Sequence, residues 1–200
     1  MDAVGIVAGS GRLPFVAAEE ARAQGRRVVA VGIRGETDPL LADAVDAFHW
    51  VRLGQLGAVV KNLRREGVAE ALLLGKVQIT HLFSGIRPDL LGARVLFRAK
   101  DLRGDSVLEA MVETLEDEGI RILETPRFLG PLVVRAGLLT RRAASEQERS
   151  DIALGREVAR QIAGLRIGQT VVVKRGTIVA VESVEGTDAA IRRGGELGRG

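Results

Sequence analysis

Two hundred residues at 21.4 kDa hold enough chain for one large domain or two small ones, with a real core. Apolar residues at 46% and charged residues at 28% exclude a disordered chain, and the absence of cysteine excludes a disulfide scaffold, a thiolate metal site and a cysteine nucleophile. The pI of about 9.9 reflects 25 arginines among 29 basic residues, yet the net charge is only +3 and aromatics are 3%, which argues against nucleic-acid binding.

The elements alternate along the chain. Val4 to Ala8 reads as a strand ended by Gly9-Ser10-Gly11, and Leu13 to Gln24 as a helix stopped by Gly25. Arg27 to Ile33 is a second β-branched run ending at Arg34-Gly35, and Phe48 to Val51 a third strand with Trp50 in the core. Leu56, Val59, Val60 and Leu63 recur at helical spacing before Gly67. Ala71 to Leu74 is a fourth strand ended by Gly75-Lys76. Arg87-Pro88 opens a helix through about Lys100, with the proline in its first turn. Asp105 to Glu118 is a helix with Val107, Leu108, Met111, Val112 and Leu115 on its apolar face, and Glu113, Glu116, Asp117 and Glu118 on a solvated one. Ile120 to Leu123 is a fifth strand. Such alternation predicts βαβ units, hence an α/β fold with a parallel sheet covered on both faces.

Around Phe128 to Leu139 the period is lost, which marks a boundary. The predicted organisation is a Rossmann-like domain over 1–130, a linker over 131–144, and a smaller α/β domain over 145–200. Ser145 and Glu148 form a capping box that opens a long helix. Gln169 to Val173 and Ile178 to Glu182 flank Lys174-Arg175-Gly176-Thr177 as a hairpin, and a last helix from the Glu185-to-Ala189 region runs into Gly194-Gly195. No apolar run reaches the ~20 residues of a membrane span. The start, Met1-Asp2-Ala3-Val4, enters a strand directly and reads as a chain without a secretory signal, hence cytoplasmic.

Chemistry-bearing residues gather at the predicted strand ends. Gly9-Ser10-Gly11 opens a helix at Leu13, where backbone N–H groups and the positive helix end suit a phosphate. The alternative is a tight βα turn; the dinucleotide fingerprint fails at Pro14-Phe15, which disfavours NAD. Arg34 and Gly75-Lys76 follow their strands in the same way, and together these ends define a crevice for a phosphorylated ligand. His49 reads as a hydrogen-bonded structural residue and His81 as a loop residue. Glu182, Glu185 and Asp188 fall within seven residues, with Thr187 between. Grouped carboxylates suit Mg²⁺ or a general base; equally, Thr187 or Asp188 serves as an N-cap. Arg141-Arg142 meets phosphates or flanks the linker.

Taken in order, several segments resemble the LpxI-type UDP-2,3-diacylglucosamine pyrophosphatases. They are Gly5-Ile6-Val7-Ala8-Gly9-Ser10-Gly11-Arg12-Leu13-Pro14, Val31-Gly32-Ile33-Arg34-Gly35-Glu36, His49 through Leu56, Arg87-Pro88-Asp89 and Arg103-Gly104-Asp105. Leu139-Thr140-Arg141-Arg142, Ser150-Asp151-Ile152-Ala153, Ile167-Gly168-Gln169 and Val184-Glu185-Gly186-Thr187-Asp188-Ala189 continue the series. The resemblance implies a Rossmann-like domain, a C-terminal α/β domain and an active-site cleft between them. It implies Mg²⁺-assisted hydrolysis of UDP-2,3-diacylglucosamine to UMP and 2,3-diacylglucosamine 1-phosphate for lipid A synthesis; a non-catalytic nucleotide-sugar binding protein is the rival reading. The expected catalytic residues are Glu185, Thr187 and Asp188, with Glu185 and Asp188 holding Mg²⁺. Gly9, Ser10, Gly11, Leu13, Arg34, Gly75, Lys76, Gln169 and Gly186 form the expected substrate-binding set. The family runs several dozen residues past the position of Gly200, so the C-terminal domain is expected to be incomplete, and a homodimer to cover its apolar surface. A lipid substrate further implies peripheral contact with the inner membrane surface.

Overall fold

Short valine- and alanine-rich runs bounded by glycine are buried along almost their whole length, the pattern of strands covered on both faces. In the computed structural model, which describes residues 2–77, 87–99 and 104–199, the chain divides into two compact units, Met1–Val134 and Arg135–Gly200.

Unit 1 contains β1 (Ala3–Ala8), α1 (Leu13–Ala23), β2 (Arg27–Ile33), β3 (Ala47–Val51), α2 (Leu56–Arg65) and β4 (Glu70–Leu74). They are followed by α3 (Leu90–Arg98), α4 (Gly104–Asp117) and the two-residue β5 (Arg121–Ile122). The strands pair in parallel in the order β3-β2-β1-β4-β5. This is a doubly wound, Rossmann-like α/β sheet whose strand order reverses between β1 and β4. Side-chain alternation splits the core in two. Val29, Val31 and Val7 pack with Leu63 and Leu115 on one face, and Val28, Ala30 and Ile6 with Ala17, Ala18 and Phe128 on the other.

Several local expectations are corrected. Pro88 precedes α3 rather than entering its first turn; Asp89 is the N-cap, its Oδ1 accepting from the Gly92 amide at 2.9 Å. Its Oδ2 accepts from the Ala58 amide of α2 at 3.2 Å, so one carboxylate joins two helix starts. Trp50 is only half-buried, because β3 is an edge strand, and it packs edge-on against Phe48. On α4 the innermost stripe is Ser106, Ala110, Thr114 and Leu115, whereas Leu108 is exposed. Small side chains let α4 sit close to its neighbours. The acidic end of α4 is tied down rather than merely solvated: Asp117 pairs with Arg94 and Arg98 of α3, and Glu118 with Arg64 of α2. Phe128 is fully buried in the core of unit 1, in a short 3-10 turn. His81 and Lys100 lie outside the described residues.

Unit 2 contains α5 (Glu146–Gly164), the antiparallel β6 (Val171–Lys174) and β7 (Thr177–Val181), and α6 (Thr187–Leu197). The capping box forms: Ser145 Oγ accepts from the Glu148 amide, and the Glu148 carboxylate accepts from the Ser145 amide. The hairpin turn is two residues, shorter than expected, with Arg175 at φ 48° and Gly176 at φ 77°. Asp151 of α5 accounts for a non-glycine residue there. Its two carboxylate oxygens accept from the Arg175 and Gly176 amides, both at 2.8 Å. The last helix runs through Gly194-Gly195 instead of stopping, since Gly194 lies against Val172 where a Cβ would clash.

Candidate functional site

The ends of β1, β2 and β4 are locked together by short polar contacts. Thr37 is buried and donates from Oγ1 to the Ala8 carbonyl at 2.5 Å, while accepting from the Ile33 amide at 2.8 Å. The Gly9 amide donates to the Leu74 carbonyl at 2.8 Å. Ser10 and Lys76 exchange backbone hydrogen bonds at 2.8 and 3.0 Å, and Ser10 Oγ also donates to the Lys76 carbonyl. A Cβ on Gly9 would stand 2.5 Å from the Lys76 carbonyl oxygen, and one on Gly75 2.7 Å from that of Ser10. The glycines there serve loop-to-loop contact. The Gly9 and Ser10 amides expected to face an anion are therefore already engaged.

Gly11 differs. It has φ +99° with open space around its Cβ position. Helix α1 starts without a side-chain cap, and its first bonds run from Phe15 and Val16 to the Arg12 carbonyl. The amides of Gly11, Arg12 and Leu13 thus precede the intrahelical ladder at the positive helix end. Leu13 is the first residue of α1 and partly exposed. Arg34 lies with its guanidinium carbon 5.8 Å from the Trp50 ring centroid, and its amide donates to Val51. It is held at the strand end by stacking.

His49 forms hydrogen bonds, as expected: Nε2 lies 2.9 Å from Glu66 Oε1, and Arg65 approaches Nδ1 at 3.2 Å. Glu66 also accepts from Arg27, and that hydrogen bond, ahead of His49, holds its carboxyl below the usual glutamate range. Arg142 makes two hydrogen bonds to Glu148, both 2.6 Å, which hold Glu148 down at about 2. That guanidinium belongs to the helix start and is not offered to a phosphate.

In unit 2 the clustered carboxylates take separate roles. Glu182 is buried and accepts from Thr187 Oγ1 at 2.8 Å and from the Gln169 amide at 3.3 Å. Its carboxyl lies below the usual range, first through a hydrogen bond with the Thr170 side chain, then that with Thr187. It is a scaffold group joining the end of β7, the 168–170 segment and the start of α6. Gly168 follows from this, since a Cβ would overlap the Glu182 carbonyl. Glu185 accepts from the Ser183 amide at 3.1 Å and pairs with Arg193 at 3.1 Å. The N-cap of α6 is Gly186, at φ 83°, without a side-chain cap; Thr187 and Asp188 are its first two residues. Neither is the N-cap.

Among the described residues no group of three or more His, Asp or Glu is placed to hold a metal ion. Mg²⁺ does not need one. It takes one or two carboxylates, keeps several waters and completes its octahedron with substrate phosphates. Glu185 and Asp188 are a donor set of that kind, all oxygen and at an uncapped helix start. Asp89 and Asp151 take their bridging roles from tertiary partners. Asp89 carried a legible signal, three residues ahead of Gly92; Asp151, inside a helix, carried none.

A doubly wound parallel sheet with glycine loops at its switch point, followed by a small α/β unit, defines a Rossmann-like two-unit protein. The LpxI N-terminal domain family matches residues 3–132 and the LpxI C-terminal domain family residues 135–200. The chain belongs to the LpxI family. It is 34% identical over 200 residues to UDP-2,3-diacylglucosamine pyrophosphatase LpxI of Caulobacter vibrioides, a match covering 98% of this chain and 70% of that protein. Among solved structures, N5-carboxyaminoimidazole ribonucleotide synthetase from Thermotoga maritima aligns with 65% of this chain and 27% of its own at 16% identity and TM-score 0.37. The Bordetella bronchiseptica enzyme WbmG, in complex with NAD and UDP, aligns with 60% of this chain and 35% of its own at 11% identity and TM-score 0.37. Likeness at that level carries no functional argument.

Proposed function

We propose that the chain is a UDP-2,3-diacylglucosamine pyrophosphatase, a hydrolase of lipid A biosynthesis that yields UMP and 2,3-diacylglucosamine 1-phosphate. The observation that carries this is the collinear match of both LpxI domains together with 34% identity to a protein of that name.

The chemistry asks for two things. The anionic diphosphate repels an attacking water, so its charge must be offset, and the water must lose a proton as the oxygen–phosphorus bond forms. Within unit 1, the Gly11–Leu13 amides at the start of α1 suit an anionic group. Asp188 is the base that takes the water's proton, and Thr187, held by Glu182, fixes the backbone that carries it. The bond to the bridging oxygen breaks and that oxygen leaves on the second phosphate. Mg²⁺, held by Asp188 and Glu185, supplies further charge neutralisation when bound. The enzyme works in the cytoplasm against the inner membrane surface, where a diacylated sugar resides; no helix among the described residues is long and apolar enough to cross a membrane.

The test is product identification after incubation with UDP-2,3-diacylglucosamine. Equal amounts of UMP and 2,3-diacylglucosamine 1-phosphate, lost on adding a chelator, are expected. Tight binding without UMP release would favour the nucleotide-sugar binding protein instead.

A further inference from the structure

Helix α5 has a fixed inner side. A Cβ on Gly155 would stand 2.9 Å from the Val173 side chain of β6, and Asp151 bonds to the hairpin turn. Leu154, Val158 and Ile162 share that side and are partly buried. The helical period then turns Arg149, Arg156 and Arg160 to the opposite side, where all three are exposed. They form one row about 16 Å long at 1.5 Å per residue. Ala153 and Ala163 beside the row are short, and Ile152 is 60% exposed.

Other arginines of this unit are neutralised, Arg142 by Glu148 and Arg193 by Glu185. Among the described residues none of the three in the row pairs with a carboxylate; Arg149 donates to the Ala144 carbonyl at 2.7 Å. Glu146 and Glu157 border the row without pairing to it. A straight row of guanidinium groups with an apolar side chain beside it suits a broad anionic surface, since a single small anion needs converging donors. A second copy docked by the same face would set like charges against each other. Aromatics at 3% leave no stacking platform for a single-stranded nucleic acid. We propose that the outer side of α5, with Arg149, Ile152, Arg156 and Arg160, lies against an anionic membrane leaflet. The choice of a membrane rests on the pyrophosphatase reading, whose substrate is held in a bilayer by two acyl chains.

The experiment is flotation of the protein with vesicles of equal parts phosphatidylglycerol and phosphatidylethanolamine, with phosphatidylcholine vesicles as reference. Binding is expected only to the anionic vesicles and should weaken as salt is raised. Each arginine at an anionic surface changes affinity about fivefold. Arg156→Gln with Arg160→Gln should therefore weaken binding about 25-fold with Tm unchanged. Lys61→Gln, which removes one exposed charge from α2 of unit 1, should leave it unchanged. Equal binding to both vesicle types overturns the proposal, as does full binding by the double variant. Retention on duplex DNA without vesicle binding overturns it in favour of a nucleic acid. UMP release from dispersed substrate without vesicle binding defeats the surface alone. Arginine-dependent vesicle binding without UMP release supports the surface and defeats the pyrophosphatase reading.

Discussion

Ser10 and Lys76 bond to each other across the switch point of the sheet, backbone to backbone at 2.8 and 3.0 Å and through Ser10 Oγ at 2.8 Å. The loops after β1 and β4 are therefore one unit. What remains for an anion is the next stretch, Gly11 to Leu13, where α1 begins.

Gly9→Ala tests the closeness of that contact. Its Cβ would meet backbone, the Lys76 carbonyl, which cannot swing away. Stability should drop by about 1–3 kcal/mol, the range of core overpacking, in denaturant unfolding. Gly11→Ala meets no neighbour, but its positive φ costs roughly 1–2 kcal/mol in the left-handed region. A Gly9→Ala protein as stable as the wild type would mean that the loops are further apart than described.

Asp151→Ala removes the acceptor for two turn amides at once. Leaving such donors unpaired costs roughly 1–3 kcal/mol where they are out of water. The amides of Arg175 and Gly176 should exchange with solvent much faster, while unit 1 amides keep their protection. Unchanged exchange at Gly176 would refute the link between α5 and the hairpin.

Glu182 sets a pH dependence. Its folded pKa is depressed, so the unfolded chain binds the proton more readily and stability rises with pH through that window. The contribution is complete above the ordinary glutamate value of roughly 4.3 and is lost as pH falls through the folded value. Melting temperature measured between neutral and acidic pH should fall in the wild type and vary less in Glu182→Gln. Parallel curves for the two proteins would assign the acid sensitivity to other carboxylates.

Val134, Leu138 and Leu139 are 70%, 63% and 71% exposed, a run of apolar side chains that favours a second copy of the chain. Light scattering at micromolar concentration should give twice the monomer mass. A single-chain mass would contradict the expected homodimer.

The fold was legible wherever one residue type repeated with a clear period. Arg27–Ile33 is a strand over those very residues, and Leu56, Val59, Val60 and Leu63 all lie on the buried face of α2. Tertiary partners were not legible. Pro88 suits a helix start by propensity, yet Asp89 wins because one carboxylate serves α2 and α3 together. Glu182 looked like a metal ligand beside Glu185 and Asp188, but it turns inward to Thr187 and Gln169.

The proposed chemistry turns on Asp188. It stands second in α6, behind an uncapped Gly186. Its charge there is worth only about 0.3–1 kcal/mol to the helix. The decisive measurement is the rate of UMP release from UDP-2,3-diacylglucosamine by Asp188→Asn beside the wild type, with melting temperatures for both. The account predicts a fall of at least ~10²-fold, the scale of one acid–base contribution, with Tm nearly unchanged. A wild-type rate in Asp188→Asn would contradict it.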